Sequence, residues 1–320
     1  MVRPAIRWPL IAVAVPVMLV LVYLLDFTPT RAEVGEVVSA VRSAVAPRIA
    51  QARPVPDWDR VYLIMLENRN PEEIIGAADA PFLNELAAEG AVAMNMWAVA
   101  GASQPNYLAL TSGSTHFVTS NDTHDVAARS IFDQLEEAGL AWRVYAENVP
   151  PGCFTGDEAT GSEGPGVYTR AHQPAISYDA IRRSPRRCAN IQGMSAFDPT
   201  AAAFELIIPD SCHNTHDCPV ATGDAWLSDL VPRILASPGF RESGLLVITF
   251  DGGSDVGPND QDRLATILVG AGVRAGAVTE SEYSHYNLLR TIQEGLGLPC
   301  LERSCIADTM ADAFVRPTAP

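Results

Sequence analysis

Residues 61–68 read Val-Tyr-Leu-Ile-Met-Leu-Glu-Asn, an unbroken apolar run that stops on two oxygen-bearing side chains, Glu67 and Asn68. A strand buried on both faces of a sheet shows no alternation, because neither face meets water. Residues 245–251, Leu-Leu-Val-Ile-Thr-Phe-Asp, repeat the pattern and stop on Asp251. In open α/β sheets ligands bind beyond the carboxyl ends of the strands. The same two segments therefore predict both the centre of the fold and the place to look for chemistry.

Working outward, residues 142–146, 204–208 and 265–269 read as further strands. Helical spacing marks 81–90, 105–113, 130–139, 223–236 and 286–296. This alternation predicts an α/β fold: a central, mostly parallel sheet with helices on both faces. Residues 150–200 are rich in Gly, Pro, Ser and Arg and lack periodicity, so they predict an irregular excursion or lid. The globular domain is expected over 57–320.

Ahead of it, Arg3 and Arg7 precede an uncharged stretch from Trp8 to Leu25. Eighteen residues of helix rise about 27 Å, close to a bilayer's hydrocarbon thickness. Residues 1–26 are thus expected to be one N-terminal transmembrane helix, a signal anchor, with 27–56 as a connector. Positive charge before the span predicts a single-pass protein at the cell membrane with its domain extracytoplasmic. The alternative is a signal peptide cleaved near Thr30-Arg31-Ala32 and a secreted product.

Composition narrows the function. The chain has 320 residues and a formal net charge of −16, which excludes a basic nucleic-acid footprint. All 22 basic residues are Arg, so lysine-based Schiff-base or P-loop chemistry is excluded. An acidic chain repels anions at long range, so a phosphate site here needs local positive charge, most simply a divalent metal ion. Six cysteines in an exported chain point to disulfides. Of the fifteen possible connectivities, short loops favour Cys212–Cys218 and Cys300–Cys305, leaving Cys153 with Cys188. A zinc site is the rival, but no Cys-x-x-Cys pair is present.

Glu67, Asn68 and Asp251 are hard oxygen donors suited to a divalent cation. Between them in sequence lies Gly101-Ala102-Ser103-Gln104-Pro105-Asn106-Tyr107, which leads into a helix. Ser103 is expected just before that helix, either as a plain N-cap or as a nucleophile at an anion-favouring helix end. His216-Asp217, in a loop between Cys212 and Cys218, and His285, before the last helix, are candidates for phosphate binding or leaving-group protonation. His124-Asp125 is a weaker candidate. His116, His172 and His213 carry no such signal.

Five segments together resemble the bacterial phosphoesterase family of the alkaline phosphatase superfamily, which contains non-specific phospholipases C and acid phosphatases. They are LIMLENRN with Glu67-Asn68, SQPNYLALTSG with Ser103, IPDSCHNTHDCP with His216-Asp217, VITFDGGSD with Asp251, and YSHYNLLRTIQEGLGLP with His285. The resemblance implies an alkaline-phosphatase-like fold and a metal-dependent phosphoric ester hydrolase of acid-phosphatase type, working through a phosphoseryl intermediate. It implies Ser103 as nucleophile and metal contact, a metal at Glu67, Asn68 and Asp251, and Asn106, His216 and His285 at the phosphoryl group. The family usually carries Asp-Glu after the late strand. Here the pair is Asp251-Gly252, so Asp255 is a candidate replacement. A phosphodiesterase or phospholipase C acting on diesters, and a surface-binding protein with impaired catalysis, are the alternatives.

Overall fold

The computed structural model describes residues 54–254 and 262–315. The apolar segment at 8–25, the connector up to residue 53 and Asp255 lie outside them. Among the described residues, no helix is long and apolar enough to cross a membrane.

The strands are β1 (Arg60–Leu66), β2 (Ala91–Trp97), β3 (Trp142–Ala146), β4 (Glu158–Thr160), β5 (Val167–Thr169), β6 (Ile191–Gln192), β7 (Phe204–Ile208), β8 (Gly244–Phe250), β9 (Arg263–Gly270), β10 (Ala277–Thr279) and β11 (Tyr283–Ser284). The main sheet runs β10-β2-β9-β8-β1-β7-β3-β6, and β11 also pairs with β2. β1 is parallel to β7 and β8, and β3 to β7 and β6. The expected mostly parallel sheet is therefore present. Its third strong strand departs from it, because β9 lies antiparallel to β8 and to β2. β9 follows β8 among the described strands and lies beside it in the sheet, the arrangement in which a strand can turn back antiparallel.

β1 and β8 are buried at nearly every position, which matches their unbroken apolar runs. Each such Leu, Ile or Val contributes roughly 1.5–3 kcal/mol by leaving water. The middle of the sheet is therefore the firmest platform on which to mount a site.

Helices α1 (Pro81–Glu89), α2 (Ser103–Ser112), α3 (Ile131–Glu137), α4 (Val220–Leu235) and α5 (His285–Gly295) flank the sheet. All ten residues of α2 are buried, polar ones included. It ends at Gly113, at φ +78°. A Cβ there would sit 2.2 Å from the Leu301 carbonyl, so the stop requires glycine on two counts. α5 starts in a capping box between Ser284 and Asn287.

Between β3 and β7 the chain makes the long excursion expected from its composition. It holds the β4–β5 ribbon, several single helical turns and β6. It is more than a cover, because β6 joins the main sheet. The disulfides are Cys153–Cys188, Cys212–Cys218 and Cys300–Cys305.

Candidate active site

Glu67 follows β1 directly and is fully buried. Its backbone is clamped by the disulfide loop after β7: its N–H donates to the Asn214 carbonyl at 2.8 Å, and Thr215 Oγ1 donates to its carbonyl at 3.0 Å. Thr215 adopts φ +76° to do so, an uncommon conformation for a β-branched residue. Asn68 turns the chain at φ +49°, which asparagine tolerates better than most. Its N–H donates to Asp251 Oδ1 at 3.2 Å, tying the ends of β1 and β8 together.

The Glu67 carboxylate gathers the rest of the site. Ser103 Oγ donates to Oε2 at 3.1 Å, and the Tyr107 hydroxyl donates to Oε1 at 2.5 Å. Residues four apart share a helix face, which is how one turn of α2 aims both hydroxyls at one carboxylate. Ser103 is the first residue of α2 and Ala102 is the N-cap, so the helix starts two positions earlier than the expected 105. The Ser103 side chain faces Glu67 and does not cap the helix. The first turn of α2 offers few amides to an anion. The Gln104 N–H goes to Asn121 Oδ1 at 3.0 Å, and Pro105 has none. What the turn retains is the positive end of the helix dipole.

His172 is the residue that nothing in the local pattern marks. The excursion carries it back so that Nδ1 lies 3.5 Å from Glu67 Oε1. Its ring stacks on Tyr107 at 5.6 Å, with planes 10° apart. Burial holds its pKa down at about 4, so the imidazole is neutral near pH 7. The other omission is Tyr107, which its four-residue spacing from Ser103 does signal.

Asn106 has a different place from the one expected. Its Oδ1 accepts the N–H groups of Val99 and Ala100 at 2.8 and 3.1 Å. Its Nδ2 donates to the carbonyls of Ala100 and Ala102 at 2.7 and 2.9 Å. That uses the full capacity of the amide, so Asn106 pegs the loop before Ser103 and has no donor left for a phosphoryl group.

His216 and Asp217 stand at the rim, with Nδ1 and Oδ1 2.7 Å apart. A cleft of about 500 Å³ lies between them and His172, with Arg170, Ser211 and Asn121 in its walls. His285 is fully buried behind β8. Its Nε2 donates to the Phe250 carbonyl at 2.9 Å, and its Nδ1 has no hydrogen-bond partner. Burial lowers its pKa.

The charge balance bears on a metal. Burial pushes the Glu67 carboxyl well above the usual carboxylate range, and the neighbouring charge of Asp251 pushes it further. Arg69, next in sequence, turns away to the carbonyls of Asn68 and Thr215. Two buried carboxylates, Glu67 and Asp251, interact directly and Asn68 is tied to the second through its N–H; carboxylate and amide oxygens are the donors that suit a hard divalent cation.

A second buried group, Glu147, Asp210 and His213, sits beyond β3 and β7. It is internally satisfied: Asp210 accepts the N–H groups of Gly166, Cys212 and His213, and His213 Nδ1 lies 2.8 Å from Glu147 Oε2. Glu147 also lines a cavity of about 1470 Å³ under the excursion, whose walls include none of Glu67, Ser103 or Asp251. Size and chemistry point to different places here. Side chains capable of acid–base and nucleophilic chemistry meet at Glu67 and Ser103, which makes that place the candidate site.

A model of the phosphoesterase family matches residues 75–299. The chain belongs to that family. Glu67 and Asn68 precede the matched segment. This phosphoesterase is 32% identical to a phosphatidylinositol-3-phosphatase of Mycobacterium tuberculosis over 78% of its own length and 80% of the relative's. It is 26% identical to an acid phosphatase of Aspergillus fumigatus over 87% of its length and 65% of the relative's. Among solved structures, a member of the alkaline phosphatase superfamily from Vibrio parahaemolyticus superposes with a TM-score of 0.52 at 14% identity. That match covers 82% of this chain and 73% of the other, a likeness of fold alone. The phosphoesterase is a phosphoric ester hydrolase.

Proposed function

We propose that this phosphoesterase hydrolyses phosphate monoesters through a phosphoseryl intermediate on Ser103. The observation that supports it is the Ser103 hydroxyl at the head of a buried helix, hydrogen-bonded to a buried carboxylate that neighbours a second one. A divalent cation held by Glu67, Asn68 and Asp251 would supply positive charge for a phosphoryl oxygen and make the serine more acidic.

Ser103 Oγ forms the new bond to phosphorus as the bond to the alcohol oxygen breaks in line. Glu67 Oε2 is the acceptor toward which the serine hydrogen points. Tyr107 fixes the other carboxylate oxygen, so Glu67 cannot rotate away. His216, oriented by Asp217 at the cleft rim, gives a proton to the leaving oxygen. Water then adds to phosphorus and displaces Oγ, releasing inorganic phosphate and restoring the serine. Neutral His172 packs against Tyr107 and Glu67 and keeps the floor of the cleft in register. His285, bonded to Phe250, buttresses the strand end that carries Asp251.

The apolar segment at 8–25 supports a tether that holds the domain on the outer side of a membrane, within reach of lipid phosphomonoesters. The likeness to a phosphatidylinositol-3-phosphatase and to an acid phosphatase favours a monoester. The test is Ser103→Ala in the full-length protein with an aryl phosphate monoester and the matching diester. Turnover of the monoester is expected to fall at least about 10³-fold with the fold intact. Undiminished turnover overturns the nucleophile, and a wild-type preference for the diester overturns the monoester.

A further inference from the structure

We propose that Asp262 is the third carboxylate of this site, supplied from the head of β9 where residue 252 has no side chain to supply one. The inference rests on the metal-and-serine reading above.

The sheet geometry makes it possible. β8 and β9 pair antiparallel from Leu245↔Gly270 to Ile248↔Ile267. Continued outward, that register brings the residue before β9 opposite the Gly252–Gly253 turn. A Cβ built on Gly252 would lie 3.5 Å from Asp262 Oδ2 and 3.7 Å from Asn68 Oδ1. These two oxygens flank one point, and both are proton acceptors. That point is also where a side chain at position 252 would emerge. Asp262 is only 4% exposed, so its carboxylate is held out of bulk water. Its backbone carbonyl accepts the Ala98 N–H at 2.9 Å, anchoring it to the loop that Asn106 pegs ahead of Ser103. Oxygens on either side of the space that a longer side chain at 252 would fill are of the hard kind a divalent cation takes. Glu67 and Asp251 are the chain neighbours of Asn68 and Gly252, and the Asn68 N–H donates to Asp251 Oδ1 at 3.2 Å. Behind them is His285, whose buried Nδ1 has no hydrogen-bond partner.

The physical content is a relocation of charge. A glutamate at 252 would reach this space from β8, and here an aspartate reaches it from β9. Gly252 is then compatible with a full oxygen set and need not mark a crippled centre.

The test uses full-length protein stripped with a chelator, then titrated calorimetrically with Mg²⁺ and with Mn²⁺ and assayed on an aryl phosphate. Asp262→Asn and Asp262→Ala are expected to weaken divalent-ion affinity about 10–100-fold, with unfolding midpoints in chelator near wild type. Adding Gly252→Glu to Asp262→Ala is expected to restore affinity to within a few-fold. Wild-type affinity in both single variants overturns the proposal. So does a well-folded double variant that stays as weak as Asp262→Ala. If wild type itself binds no divalent ion, the metal reading falls and this inference with it. If wild type binds and Asp262→Asn is unchanged, only Asp262 loses its role.

Discussion

Two glutamates lie fully buried on neighbouring parallel strands, Glu67 at the carboxyl end of β1 and Glu205 near the amino end of β7. Burial raises the pKa of both. Their surroundings differ. Glu205 accepts the Ala202 N–H through Oε1, leaves Oε2 without a hydrogen-bond partner, and feels Arg60 and Arg143. It is pushed up to about 8 and remains protonated at neutral pH. Glu67 instead collects a serine hydroxyl, a tyrosine hydroxyl and an imidazole, with a second carboxylate alongside. A perturbed carboxyl becomes a functional site when reactive groups converge on it, and burial alone does not achieve that.

The contrast can be broken by exchanging each glutamate for its neutral isostere. Glu67→Gln removes a buried carboxylate from the site, and turnover is expected to fall about 10²–10³-fold. Chelated wild type should resemble it, and added Mg²⁺ should rescue only wild type. His172→Ala removes the ring stacked on Tyr107, and a loss of about 10–100-fold in kcat is expected, with a smaller change in KM. Asn106→Ala leaves the amides of Val99 and Ala100 without their acceptor. Roughly 1–3 kcal/mol of stability is expected to go, measured by denaturant unfolding, with about tenfold in turnover as the Ser103 loop loosens.

Glu205→Gln sharpens the contrast from the other side, because activity should not change. Its pH signature follows from linkage. Above about pH 4.5 the unfolded chain releases this proton while the folded chain keeps it up to about pH 8. Stability from this group therefore falls as pH rises through that window. The neutral glutamine removes the fall. Glu205→Gln is expected to match wild type at pH 4 and to exceed it by about 1–3 kcal/mol at pH 8 in thermal or denaturant unfolding.

The segments that the sequence marks clearly are those with one dominant physical cause. β1 and β8 announce themselves because strands buried on both faces are almost continuously apolar, and β3 and β7 remain legible although each carries one charged residue, Arg143 and Glu205. β2 does not, since Ala91-Val92-Ala93-Met94-Asn95-Met96-Trp97 is poor in β-branched residues and its pairing with β9 makes it a strand. The direction of β9 is not written in its own apolar run, which suits a parallel or an antiparallel neighbour alike. At the site, Glu67, Ser103 and Asp251 are legible because each sits at the end of a strand or the start of a helix. His172 arrives through an aperiodic excursion, and only the folded chain brings it to Glu67. Asn106 lies in a recognisable motif, yet its hydrogen bonds show it holding a loop.

The helix bearing Ser103 is buried along all ten residues, from the serine to Ser112. A surface helix can fray and re-form without disturbing what lies beneath it, but this one has no solvent side from which to fray. Moving Ser103 by a few ångströms means opening the interior of the molecule. Heat inactivation should therefore trace the same curve as loss of the whole fold, with no earlier stage in which a structured but idle enzyme accumulates. Remaining turnover after a heat pulse would then serve as a direct count of intact molecules.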